Sequence, residues 1–484
     1  MVEYVLKKDF FVFFKFFWEE RKMPDIKKYK IVLGRNAQYN EVRAANFLLS
    51  NIKLVVGYKP EVVTDDAEPY PYEIVVGKTS REDFDGIAFD RADKKNWQYE
   101  IRYVGTRLYL TGLGNPHDYD PVPFAAYGYI DDGAQGTAFA AYRFVEDTLG
   151  YDFVDHANIY DTVEKENIEI NESCNFIYTS EKIYNESPKL YDGAALYSVP
   201  GGTPVESWGM SCFIFKTKSG KLIVHDGGFE ADAEHLVKVL EALSSGKKPV
   251  VSAWLLSHLH AGHAGAYKAI AQSQELSSRI TVENFYGCIL SEDFYFRPIS
   301  QRRRPAAKEL RDTVLSSPET MGVKLNTVKA GDKIVVDEFV IDVLRSPEAL
   351  DDVAGVSVND SSVVYKLTFD GEQTMILLGD GEQRTSDDLL ALGDDALKCD
   401  ILQVGHHGAP NVAKKCYLDM NASVYIWQTD DRHWYGDDGD GVNSWPGVTP
   451  VRTRQYVYDL GTSKDNIYRD TYGILSFELP IKVK

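Results

Sequence analysis

The chain is short of the features that mark cysteine-stapled or membrane-spanning proteins. Cysteine is scarce: Cys174, Cys212, Cys288, Cys399 and Cys416 are the five in 484 residues, far apart, with no Cys-x-x-Cys pair. An odd, scattered set excludes a disulfide framework and offers no metal-ligand spacing. These thiols read as small buried hydrophobes. No apolar run is long enough to cross a bilayer. Positive charge is also short: 53 Lys and Arg face 73 Asp and Glu, a formal net charge of −20. Such a surface repels phosphate backbones and argues against nucleic acid as a partner. Histidine is rare too, ten in all, so where those ten fall carries information.

What is present suits a globular protein with buried cores: 44% hydrophobic and 26% charged residues. The length fits two or three domains. Residues 1–27 stand apart. Phe10 to Trp18 is almost wholly aromatic, is interrupted by Lys15, and is followed by no small-residue cleavage site. It makes a poor signal peptide, so the expected location is cytoplasmic, with export left open. The leader stays unassigned: a membrane-surface segment and an extension upstream of Met23 both fit.

Residues 28–180 read as a smaller N-terminal α/β domain and its linker. Tyr29 to Leu33 and Tyr72 to Val76 are short apolar strands, each closed by a glycine. Glu41 to Leu54 has helical spacing. Tyr99 to Val104 and Arg107 to Thr111 straddle Gly105-Thr106, a hairpin signal. Gly136 to Leu149 is a second helix, stopped by Gly150. Residues 160–190 read as a linker with a strand or two. Asp65 and Asp66 read as solvated turn formers, and His117 and His156 are isolated. The pieces Ile31 to Gly34, Glu73 to Gly77 and Gly136 to Glu146 resemble the α/β domain that precedes the catalytic barrel in bacterial hexosaminidases. That domain is accessory in its family, so the resemblance implies a glycan-related setting and no activity.

The pattern changes after residue 181. A hairpin, Cys212 to Phe215 and Lys221 to Val224, ends in His225-Asp226-Gly227-Gly228. A helix from Ala231 to Leu243 follows. Val250 to Leu256 is an apolar strand, Ala264 to Ala271 a small-residue helix. Between them lies Ser257-His258-Leu259-His260-Ala261-Gly262-His263, three of the ten histidines in six residues. Imidazole is the commonest metal ligand near neutral pH, and Zn²⁺ favours small sets of nitrogen ligands. Further strands are expected at Arg279 to Val282, Phe339 to Leu344, Ser362 to Phe369, Thr374 to Leu378, Ile401 to Val404 and Val424 to Trp427. Two of them deliver ligands: one ends in Gly379-Asp380, another in Gly405-His406-His407-Gly408. With the histidine cluster they form one set of metal ligands on strand-terminal loops.

Within a domain placed at residues 181–484, residues from about 195 to 480 resemble a metallo-β-lactamase-fold hydrolase, most of all the hydrolase domain of competence-type proteins. The matching order is Asp226-Gly227-Gly228, Ser257 to His263, Ala330-Gly331-Asp332, Asn359 to Ser362, Leu378-Gly379-Asp380, Val404 to Gly408, Asn443 to Pro446, Tyr468-Arg469 and Tyr472-Gly473. The resemblance implies a four-layer αββα sandwich with a metal site at one edge. It assigns His258, His260, His263, Asp380 and His406 as ligands, with His407 an alternative to His406. Asp226 then orients a ligand histidine. The sequence departs from the family at two places. Gly262 stands where an aspartate is expected, and no histidine lies between His263 and His406.

Three readings follow: one ion on His258, His260 and Asp380; two ions; or a degenerate site. The favoured function is a metal-dependent hydrolase using Zn²⁺, one or two ions, with Mn²⁺ an alternative. Its substrate is a small molecule or glycan-linked phosphodiester, lactone or ester. Metal-bound water is then the nucleophile, with His407 a candidate proton donor. The rival is a catalytically degenerate module that binds a glycan or protein partner. Arg302-Arg303-Arg304, in a Tyr- and Phe-rich insertion from Phe285 to Pro305, reads as a solvated face or a substrate-anion contact. His433, Trp434, Trp445 and the acidic Asp437 to Asp440 loop are candidates for the same edge.

Overall fold

The computed structural model describes residues 25–92, 94–95, 97–114, 135–149, 168–178, 187–201, 211–296, 304–353, 356–429, 434–435, 450–471 and 473–484. Most of the aromatic leader, His117, His156, Arg302, Arg303, His433, the Asp437 to Asp440 loop, Asn443 to Pro446 and Tyr472 lie outside the described residues. Among the described residues no helix is long and apolar enough to cross a membrane. The chain forms two compact units, one up to residue 181 and one drawn mainly from residues beyond it.

The first unit is a six-stranded sheet. Its strands are β1 (Lys30–Leu33), β2 (Val62–Thr64), β3 (Glu73–Val76), β4 (Tyr99–Val104), β5 (Arg107–Gly112) and β6 (Phe176–Tyr178), in the order β2-β1-β3-β5-β4-β6. Strands β2, β1, β3 and β5 run parallel. Their apolar runs are unbroken because parallel strands are covered on both faces: Ile31, Val32, Ile74, Val75 and Tyr109 have no exposed surface. Helix α1 (Tyr39–Val56) starts at a capping box between Gln38 and Glu41 and stops at left-handed Gly57. Helix α2 (Gln135–Asp147) packs on α1 and β5. Strand β6 falls in the 160–190 stretch, which was expected to be a linker with a strand or two. Glu73 is fully buried, and Arg81 (3.0 Å) and Arg107 (2.7 Å) compensate its charge. Asp65 accepts from the backbone N–H groups of Arg35 and Ser80, tying two loops together.

The second unit places two sheets against one apolar core. Its first sheet contains β7 (Ala195–Ser198), β8 (Cys212–Lys216), β9 (Leu222–Asp226), β10 (Val250–Leu255), β11 (Asn284–Gly287), β12 (Lys324–Thr327) and a last strand, β20 (Leu475–Glu478). The order is β12-β11-β10-β9-β8-β7-β20, with the short Thr281–Val282 pairing against β10. The second sheet, in sequence and spatial order alike, is β13 (Lys333–Val336), β14 (Phe339–Arg345), β15 (Val364–Phe369), β16 (Gln373–Leu377), β17 (Ile401–Gln403), β18 (Val424–Trp427) and β19 (Ile467–Arg469).

Period-two alternation explains the layering. Met375, Leu377, Ile401, Val424 and Ile426 face the core shared with Phe213, Phe215 and Leu255 of the other sheet. Their neighbours Ile376, Leu402 and Tyr425 are as deeply buried but lie outside that core. They are on the face where helices α6 (Gln383–Leu390) and α7 (Lys414–Met420) bury Leu389, Cys416 and Tyr417. Helices α3 (Ala233–Leu243), α4 (Ala261–Gln272) and α5 (Arg304–Met321) join the core of the first sheet.

Two expectations are corrected. The strand expected at Arg279 to Val282 is present but confined to Thr281–Val282, because Arg279 ends the helix Gln274–Arg279, which Ser273 caps at Leu276, and is claimed by Glu234 and Glu241. The Phe285 to Pro305 stretch is no surface insertion at its start. Asn284–Gly287 is a sheet strand beside β10, with Phe285 fully buried.

Trp254 packs between the first sheet and helix α4, edge-on to Tyr267 of α4 at 4.9 Å, both fully buried. Trp254→Ala should cost about 3–5 kcal/mol of stability, read as a lower urea midpoint with an unchanged slope.

Candidate metal centre

Every ligand candidate sits just past the end of a strand. Asp226 is the last residue of β9, in the left-handed region at φ 57°. The turn after β10 carries Ser257, His258 and His260, and His260 caps α4, whose first turn holds His263. Asp380 follows β16. His406 and His407 follow β17, both left-handed at φ 48° and 54°. Two glycines allow this crowding. A Cβ on Gly379 would lie 2.7 Å from Ser257 Cβ, and one on Gly408 would lie 2.0 Å from Trp427 Nε1.

The side chains converge on one oxygen. Asp380 Oδ2 lies 3.1 Å from His263 Nε2, 3.5 Å from His407 Nε2, and 3.9 Å from both His258 Nε2 and His406 Nε2. His258 Nε2 is 3.0 Å from His260 Nδ1. Two trios among the described residues have ligand atoms within 4.8 Å of one another: His258, His260 and Asp380, and His263, Asp380 and His407. Asp380 is common to both. His406 belongs to neither trio.

Outer partners decide which nitrogen each ring presents. Asp226 Oδ1 accepts from the Ser257 backbone N–H at 2.8 Å, and Oδ2 accepts from the Ser257 hydroxyl at 2.8 Å. The same Oδ2 lies 2.8 Å from His263 Nδ1, which therefore carries the hydrogen and leaves Nε2 toward Asp380. Because the Ser257 hydroxyl donates to Asp226, its oxygen accepts from His258 Nδ1 at 3.0 Å. His258 Nε2 is thereby also turned inward. His407 Nδ1 donates to the Gln428 carbonyl at 3.0 Å, which turns its Nε2 inward too. Ser257, Ser362, Asn359, Asn411, Glu382 and Gln428 were given no role from sequence. The first three lie inside recognisable motifs; the others carry no local signal.

Charge balance explains the titration behaviour. Burial raises the Asp380 carboxyl, but the charges of His263, His407 and His406 outweigh it and hold the group well below its usual range. Burial lowers His263, yet Asp380 and Asp226 on either side raise it to about 10. His258 has no such pair; burial and its like-charged neighbours His263 and His260 push it well below normal. Burial also lowers His406. His263 therefore carries a positive charge between two carboxylates, Nδ1–H toward Asp226 and Nε2–H toward Asp380, while His258 and His406 are pushed toward the neutral form.

The donor set fits a cation. His258 and His407 turn Nε2 inward, and Asp380 Oδ1 is buried with no hydrogen-bond partner. A buried, unpaired carboxylate oxygen among imidazole lone pairs marks a position for positive charge. Nitrogen and oxygen donors in this number suit Zn²⁺ or Mn²⁺. Trp434, offered as an edge aromatic, is buried against Trp427 at 5.2 Å between the Arg454 and Arg469 guanidiniums.

No protein-family model and no curated protein matches the chain. Among solved structures, it is similar to the metallo-β-lactamase fold protein YhfI from Bacillus subtilis: 13% identity, 59% of this chain, 100% of that one, TM-score 0.35. It is similar to CmlA, a diiron β-hydroxylase from Streptomyces venezuelae, at 9% identity over 63% of this chain and 55% of that one, TM-score 0.37. It is similar to unliganded yeast PDE1 at 11% identity over 57% and 97%, TM-score 0.34. At such identities and scores these likenesses carry no argument about activity, ligands or residue roles.

A raised histidine pKa stabilises the fold below its unfolded value, about 6.5, and that contribution is lost as pH rises through the folded value. For His263 the loss runs from about 6.5 to about 10. Chelator-treated protein should show urea midpoints falling across that window, and His263→Gln should remove that part of the slope. A flat wild-type profile would show that His263 does not hold the proton.

Proposed function

We propose that the chain is a metal-dependent hydrolase of the metallo-β-lactamase kind. The observation that carries the reading is the pair of ligand trios sharing Asp380, whose second oxygen is buried without a partner. His258, His260 and Asp380 would hold one cation, and His263, Asp380 and His407 a second. Zn²⁺ is the first candidate and Mn²⁺ the alternative. A bound cation of this type supplies Lewis acidity and brings the pKa of water toward about 7.

The chain's own residues prepare the site for that chemistry. Asp226 fixes the His263 tautomer directly and the His258 tautomer through Ser257. The Gln428 carbonyl fixes His407. His263 must give up its Nε2 proton before that nitrogen can act as a ligand, so affinity should fall with acid. Helix α4 begins at Ala261, so Gly262 leaves its first turn without the carboxylate that the resembled family carries there. The substrate class we propose is a phosphodiester, lactone or ester. A carbohydrate-linked form rests on the sequence resemblance of residues 28–180 alone.

Chelator-stripped protein should take up zinc or manganese, and Asp380→Asn should lower affinity at both positions by at least about 100-fold. Loaded protein should hydrolyse members of a chromogenic phosphodiester, ester and lactone panel. Absence of uptake with either ion would end the hydrolase reading and favour a degenerate binding module. Gly262→Asp should raise occupancy in a working, reduced site. Unchanged occupancy would mark a site that has drifted from metal binding.

A further inference from the structure

Two successive imidazoles close the site, and they are held in opposite senses. His407 donates from Nδ1 to a carbonyl, so its inward Nε2 is bare. For His406, Asn411 Nδ2 lies 2.8 Å from Nδ1 and 3.2 Å from Glu382 Oε1. An amide group facing a carboxylate must present its N–H₂, so Asn411 cannot be turned over. Asn359 is fixed likewise: its Nδ2 is 2.9 Å from Glu382 Oε1 and 3.3 Å from His406 Nε2. A neutral imidazole accepts at one nitrogen only. The 2.8 Å contact outcompetes the 3.3 Å one, which puts the proton on Nε2. Asp380 Oδ2, at 3.9 Å, is beyond hydrogen-bond reach of that proton.

We propose that His406 stands outside the metal shell and donates its Nε2–H to an oxygen of the substrate's scissile group, a carbonyl or phosphoryl oxygen. The inference rests on the hydrolase reading. Glu382 holds the donor in place through Asn411, and Ser357 anchors Glu382 in turn at 2.7 Å. The His406 side chain keeps 17% of its surface exposed. A fixed donor beside ligand positions acts where negative charge grows during hydrolysis. This departs from the sequence expectation that His406 is the last metal ligand and takes up its alternative, His407, for that position.

The test titrates zinc into stripped wild-type, His406→Ala and His407→Ala proteins, then titrates inorganic phosphate into the zinc-loaded forms. His406→Ala should keep wild-type zinc stoichiometry and affinity within about twofold, while His407→Ala should lose at least about tenfold. Phosphate should bind about tenfold more weakly to His406→Ala, with partial recovery in His406→Gln. Long-range ¹⁵N–¹H spectra should report the Nε2–H tautomer at His406. Loss of zinc in His406→Ala alone, unchanged phosphate binding, or an Nδ1–H tautomer each overturns the inference. If wild-type protein takes up no zinc, the hydrolase reading itself fails and the inference with it.

Discussion

A carboxylate buried among imidazoles is the constraint on which this molecule turns. Asp380 is 4% exposed, and four rings approach one of its oxygens. Four cationic rings in that space would repel one another; four neutral rings would leave the carboxylate uncompensated. The protein settles between these limits with one charged ring, His263, whose two N–H groups face Asp226 and Asp380. A divalent cation resolves the same conflict more completely, because it satisfies lone pairs and carboxylate together. Folding and ligation therefore draw on one electrostatic problem.

The strand ends supply the geometry and the outer contacts supply the chemistry. Asp226 is the economical element. It holds one histidine of each trio, His263 directly and His258 through the Ser257 hydroxyl. Its own backbone is left-handed, a conformation that costs roughly 1–2 kcal/mol for a residue with a Cβ. Of the seven non-glycine residues with positive φ among the described residues, Asp226, His406 and His407 all stand at this centre. The local cost is offset by the buried hydrogen bonds those turns make possible.

Much of the second unit was legible because apolar strands that end in ligands are a strong local signal. The run into Ser257, the run into Asp380 and the run into His406 all appear as strands, within a residue or two at either end. Strand Asn284–Gly287 was not legible. Its aromatic residues show no clean alternation, and only burial beside Trp254 makes it a strand. The partners that select ring tautomers were hidden for a different reason. Asn411 and Gln428 are ordinary amide residues, and their roles come from contacts set by the tertiary fold.

The choice between His406 and His407 shows where sequence reasoning stops. The two are adjacent, equally strained and similarly exposed, at 17% and 15%. Nothing local distinguishes them as ligands. What separates them is the group behind Nδ1. A carbonyl acceptor makes one ring a lone-pair donor to a cation; an amide N–H makes the other a proton donor. The first group belongs to the residue after β18 and the second to the turn before α7, so each is placed by a different packing contact. A doubled histidine thus acquires two chemistries from one backbone turn, and the cost of holding both residues left-handed is shared by both functions.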